Sequence, residues 1–131
     1  MDGGLEQIFR GPDEDLLIDE ALVADYLRAD LARVDSAQRA GLIAAELPMP
    51  ERYPAYTEIL VDPLGHLWLE RFTLPWESGR HWGVFDPQGV FLGNLAVPAD
   101  FAVTHVGREH LTGVATDELG VERVRVYRLE R

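Results

Sequence analysis

The residues able to do chemistry are few, and their spacing suits no known catalytic pattern. His105 and His110 flank Glu109 in the string HVGREH, one residue longer than the H-x-x-E-H pattern whose ligands meet zinc from one helix face. The string reads as strand and turn, where the two imidazoles would diverge. His66 and His81 stand at strand starts, the ordinary place for exposed histidines. Ser36 and Ser78 are the only serines, and neither lies in a G-x-S-x-G elbow. Cys and Lys are absent, which removes disulfides, thiolate metal sites, thiol nucleophiles and Schiff-base chemistry. Glu58, Asp62, Glu70 and Asn94 fall on or beside adjacent strands and read as solvated strand groups. No catalytic residue, metal ligand or cofactor follows from this set. Trp76, in the polar loop TLPWESGR, is the candidate ligand or partner contact, with Arg80 and His81 beside it.

The elements that position these residues are set by turns. Asp62-Pro63-Leu64-Gly65 and Asp86-Pro87-Gln88-Gly89 each lie between apolar runs. Asp at the first turn position bonds back to the turn amides, Pro at the second has φ already near −65°, and Gly at the fourth takes the left-handed conformation. Each turn predicts a pair of antiparallel strands, TEILVD with HLWLERF and HWGVFD with VFLGNLAV. Four strands result. After Phe101 the pattern returns, with strands over 103–106, 111–115 and 121–129 and a turn at Asp117-Glu118-Leu119-Gly120.

Residues 11–50 differ in kind. Asp19 caps a helix with Val23, Leu27, Leu31 and Val34 on one face. Asp35 and Gln38 resemble a capping box for a second helix carrying Ala40, Ile43, Ala44 and Leu47, which Pro48 and Pro50 stop. Both helices are expected to pack as a cover on the sheet. Ahead of them, Asp2-Gly3-Gly4 is a hairpin-turn signal before a short strand-like run ending at Arg10.

The chain of 131 residues fits one domain, with 47% hydrophobic and 27% charged residues. Net charge is −11, and residues 1–30 hold nine acids against Arg10 and Arg28. Such a surface repels phosphate backbones and anionic lipids, so neither nucleic acid nor membrane is the expected partner. No apolar run is long enough for a membrane span and no export signal follows Met1.

The chain also repeats itself. His66-Leu67 aligns with His110-Leu111 at an offset of 44, and Val84-Phe85 with Val126-Tyr127 at an offset of 42. A period of about 40–45 residues with four strands per unit is that of a β-propeller blade. Asp2-Gly3-Gly4-Leu5 parallels Pro87-Gln88-Gly89-Val90, so residues 5–10 are the expected fourth strand of the final unit.

The strings AYTEILVDPLGHLWLERF, HWGVFDPQGVFLGNLAVP and GVATDELGVERVRVYRLER resemble the closing blades of bacterial six-bladed β-propellers of the NHL and TolB-like kind. The resemblance implies a mainly β fold of two antiparallel four-stranded blades, the last incomplete or closed by the N-terminal strand, with a two-helix insert. The implied boundaries are a terminal strand at 1–10, the insert at 11–52, a complete blade at 53–98 and a three-stranded blade at 99–131. It also implies a non-catalytic binding or scaffold module, a fragment of a larger and extracytoplasmic propeller. The partners are then other blades or a protein, and a homotrimer would complete six blades. The alternative is part of a metal-dependent propeller hydrolase or lyase, with carboxylates meeting at the axis.

Overall fold

A computed structural model describes residues 4, 7–9, 15–32 and 50–131 of the chain. Asp62, Asp86 and Asp117 build three turns of one design. In each, the Asp Oδ1 accepts from the backbone N–H two and four residues on, at 2.8–3.0 Å. In each, the Asp carbonyl accepts from the Gly three residues on at 2.9 Å. Those glycines, Gly65, Gly89 and Gly120, have φ of 84°, 87° and 77°, the left-handed region the turn requires.

Seven strands lie among the described residues: β1 Tyr56–Val61, β2 Leu67–Arg71, β3 Arg80–Phe85, β4 Phe91–Val97, β5 Phe101–Val106, β6 His110–Thr116 and β7 Glu122–Arg128. The three turns join β1 to β2, β3 to β4 and β6 to β7. They form two antiparallel sheets in chain order, β1-β2-β3-β4 and β5-β6-β7. The protein is mainly β, and the described strands close no barrel. The sequence repeat has a counterpart in register. Leu67 lies opposite Phe85 across β2 and β3, and Leu111 lies opposite Tyr127 across β6 and β7.

The chain divides into two compact units. The larger contains both sheets, Tyr56–Arg71 and Ser78–Arg131. Its core is one cluster between the sheets: Trp68, Trp82 and Val97 from the first, Phe101, Val103, Val106, Leu111 and Ala115 from the second. Period-two alternation turns Ile59 and Val61 to the opposite side of the first sheet, where they are 62% and 65% exposed. On that side the Phe9 ring meets Phe85 edge-on at 6.1 Å.

Of the expected fourth strand at 5–10, the described residues Gln7, Ile8 and Phe9 belong to no strand. Gln7 and Phe9 approach Gly89, at the β3–β4 turn. The outer edge of β7 has no strand partner among the described residues.

The smaller unit contains α1, Glu20–Leu31, and Phe72–Glu77. Asp19 caps the helix as its residue type predicts, its Oδ1 accepting from Leu22 N at 2.7 Å. The apolar face differs from the expected one. Leu22, Val23 and Tyr26 line an apolar cleft of about 290 Å³ with Tyr53 and Phe72, while Leu27 is exposed. Val23 keeps its expected place and Leu27 does not, because Tyr53 and Phe72, tilted against each other with ring centroids 5.3 Å apart, line the cleft on the side of Leu22 and Tyr26. The expected second helix lies outside the described residues.

Candidate functional site

The three turns are alike in backbone and unlike in surroundings. Asp86 and Asp117 are half-buried, whereas the Asp62 side chain is fully buried. A buried carboxylate is stable only when its lone pairs are filled by donors. Asp62 is followed by His at the fourth position and Trp at the sixth, which neither other turn has. Strand β2 begins there, and alternation points Trp68 into the inter-sheet core, where its indole N–H reaches Asp62 Oδ2 at 3.2 Å. His66 Nδ1 lies 3.2 and 3.1 Å from the two carboxylate oxygens. Arg131 Nη2 donates to Oδ2 at 2.7 Å.

Arg131 also binds the β5–β6 turn, donating from Nε to the Arg108 carbonyl at 2.9 Å and from Nη2 to the Gly107 carbonyl at 3.2 Å. Asp62 therefore joins the first hairpin turn of one sheet to the first turn of the other through a single guanidinium. Burial pushes its carboxyl pKa up, but the bonds from Arg131, the His66 and Leu64 amides and Trp68 outweigh that and hold it well below the usual carboxylate range. The favoured His66 tautomer carries its proton on Nδ1, toward the carboxylate, leaving Nε2 as the acceptor. The contact at 3.5 Å between Arg131 Nη1 and Nδ1 is then no hydrogen bond, since both groups are donors.

A carboxylate–imidazole pair can orient a general base, but base catalysis also needs a substrate or nucleophile within reach. Here the carboxylate's charge is neutralised by Arg131, and the bonds tie backbone segments together. The arrangement is a clamp. An open cavity of about 450 Å³ adjoins it, lined by Leu64, Arg131, Arg108 and Arg128 with Glu109 and Glu130, so its rim carries both signs.

The second buried acid, Glu70, also lies between the sheets. It accepts from Thr57 Oγ1 at 3.1 Å and pairs with Arg80, whose Nε is 2.8 Å from Glu70 Oε1. The Arg80 N–H is not directed along that line, so this is an ion pair in which Oε1 accepts no directional hydrogen bond. Arg80 Nη1 extends to the Phe101 carbonyl at 3.5 Å, across to the second sheet. Trp82, opposite Glu70 in register, is buried, and its indole N–H has no partner among the described residues.

The sequence-predicted contact residues do not form one site. Arg80 and His81 are neighbours on β3 and so face opposite sides of the sheet, with Arg80 committed to Glu70. Trp76 belongs to the smaller unit, 47% exposed, lining a shallow depression with Asp25, Arg28 and Ala29. His105 and His110 lie on β5 and β6, with His105 opposite Thr112 and His110 opposite Arg128. Among the described residues no three His, Asp or Glu side chains gather as a cation site. None of the described helices is long and apolar enough to cross a membrane.

Fold and site together define a mainly β protein of two stacked antiparallel sheets held by internal ion-pair clamps. Comparison with protein-family models, curated proteins and solved structures gives no match to this chain.

Proposed function

We propose that this chain is a non-catalytic binding or scaffold module of β-propeller type, which works by laying its sheet faces against further antiparallel sheets. The observation that carries the reading is the apolar side of the four-stranded sheet, where Ile59 and Val61 are exposed on β1 beside the buried Leu69 and Phe85. Exposed apolar residues continuous with buried ones mark a surface that is covered in the working protein. Two further features support it. The successive sheets repeat one register, as units of a blade array do. The buried acids Asp62 and Glu70 are occupied in holding the fold.

The test is a charged substitution on that side. Ile59→Glu with Val61→Glu should leave the circular dichroism of the chain unchanged, because both side chains are solvent-exposed. It should lower the mass of assemblies measured by light scattering. An unchanged assembly mass would contradict the reading.

A further inference from the structure

Strand β7 has the sequence Glu122-Arg123-Val124-Arg125-Val126-Tyr127-Arg128, and all seven residues are exposed. Bonds from Leu129 N to the Glu109 carbonyl at 2.7 Å and from Asp117 N to the Val121 carbonyl at 3.1 Å fix the ladder's alternation. The backbone groups of Arg123, Arg125 and Tyr127 therefore face β6, and those of Glu122, Val124, Val126 and Arg128 face outward. In the first sheet the corresponding edge, β3, is covered by β4. An edge of this length with no strand beside it among the described residues is a template for another strand, and edge charges ordinarily keep identical edges apart.

The charges on β7 do the opposite when the strand meets itself. We propose that β7 pairs edge to edge and antiparallel with β7 of a second copy of this chain, Glu122 lying opposite the partner's Arg128. In that register Val124 lies opposite the partner's Val126, Arg123 opposite the partner's Tyr127, and only Arg125 meets its own counterpart. Asp100 Oδ2, 3.4 Å from Arg125 Nη1, offsets that single like-charge meeting. The outward-facing residues all pair with outward-facing residues, so about eight backbone hydrogen bonds form. Val124 and Val126, 74% and 58% exposed, gain each other as cross-strand neighbours.

The neighbouring registers that keep the backbone bonds are worse. A shift of two residues one way sets Arg123 against the partner's Arg125 in both halves. The same shift the other way sets Glu122 against the partner's Glu130 and Val124 against the partner's Arg128. Like charges directly opposite are destabilising, so one register is selected. The pairing is isologous, closes at two copies and gives one continuous six-stranded sheet. It uses a strand edge and is independent of the face docking proposed above.

The experiment is a charge swap on the full chain, read by light scattering. Glu122→Arg alone and Arg128→Glu alone each set like charges opposite one another twice, and each should halve the assembled mass. The double variant E122R/R128E restores opposite pairs and should recover the wild-type mass. An equimolar mixture of the two single variants should also re-form pairs, a result that misfolding would not produce. Single variants that keep the wild-type mass, or a double variant and mixture that both stay dispersed, would overturn the proposal. With Ile59→Glu and Val61→Glu in place the β7 pairing should persist as a dimer, so failure of either proposal is visible separately.

Discussion

Arg131 Nη2 lies 2.7 Å from Asp62 Oδ2, although the two residues are 69 positions apart in the chain. This contact joins the β1–β2 turn to the β5–β6 turn across the inter-sheet core. The buried carboxylate is tolerated because donors surround it. Replacing it with Ala would leave the Trp68 indole N–H and two backbone amides without an acceptor and take the carboxylate from the Arg131 guanidinium, which would keep only the Arg108 and Gly107 carbonyls. Asp62→Ala should cost about 3–5 kcal/mol in denaturant unfolding, the range for breaking a buried pair. Asp86→Ala, in a turn of the same design whose Asp is only half-buried and has no ion-pair partner among the described residues, should cost about 1 kcal/mol. Equal costs would contradict the clamp.

The same carboxyl sets an acid dependence. Its folded pKa is depressed below the unfolded value of about 4, so the folded state holds fewer protons there than the unfolded state. The stabilisation is complete above about pH 4 and is lost as pH falls further through the folded value. Thermal melting of the wild type should fall steeply below that pH. Asp62→Asn should be less stable at neutral pH and show a shallower acid slope. Parallel slopes for the two proteins would contradict the assignment.

Trp68 and Trp82 are both buried in the same core, yet their indole N–H groups differ. That of Trp68 donates to Asp62, and that of Trp82 has no partner among the described residues. Phe in place of either removes a similar volume. Trp68→Phe should therefore cost about 1–3 kcal/mol more than Trp82→Phe, the penalty of depriving a buried charged group of a donor. Matched urea titrations of the two variants check this ordering.

Gly113 on β6 is fixed by close approach rather than by backbone angle. A Cβ there would collide with the Ala102 carbonyl and stand 2.6 Å from the Phe101 ring, which is fully buried. Gly113→Ala must push β5 away or displace that ring, at a cost of about 1–3 kcal/mol. Gly93, whose Cβ would meet nothing within 4 Å, is the comparison, although its φ of 150° adds some strain. The two variants compared by thermal melting should rank Gly113→Ala the less stable.

The turns and strands were legible in the sequence because an Asp and a Gly three residues later declare local geometry by themselves. The repeat was legible because Leu67 and Leu111, with Phe85 and Tyr127, recur at nearly one offset in the chain, and the two pairs lie opposite each other across matching strands. Asp62 was not legible as a site, because what distinguishes it from Asp86 and Asp117 is burial by residues far along the chain. Its local sign was His66 and Trp68 at the fourth and sixth positions, absent from the other turns. Arg80 was read as a contact residue of a polar loop. It opens β3, and two-residue alternation puts it on the side of Trp82, toward Glu70. On α1 Val23 faces the apolar cleft as expected and Leu27 does not, because the helix repeat alone does not say where Tyr53 and Phe72 will lie.

We propose the apolar side of the four-stranded sheet, around Ile59 and Val61, as a docking surface. An experimentally determined structure of the assembled protein tests it most directly. A further antiparallel sheet is expected against Ile59 and Val61, with those side chains out of water. A monodisperse protein whose Ile59 and Val61 remain open to solvent would contradict it.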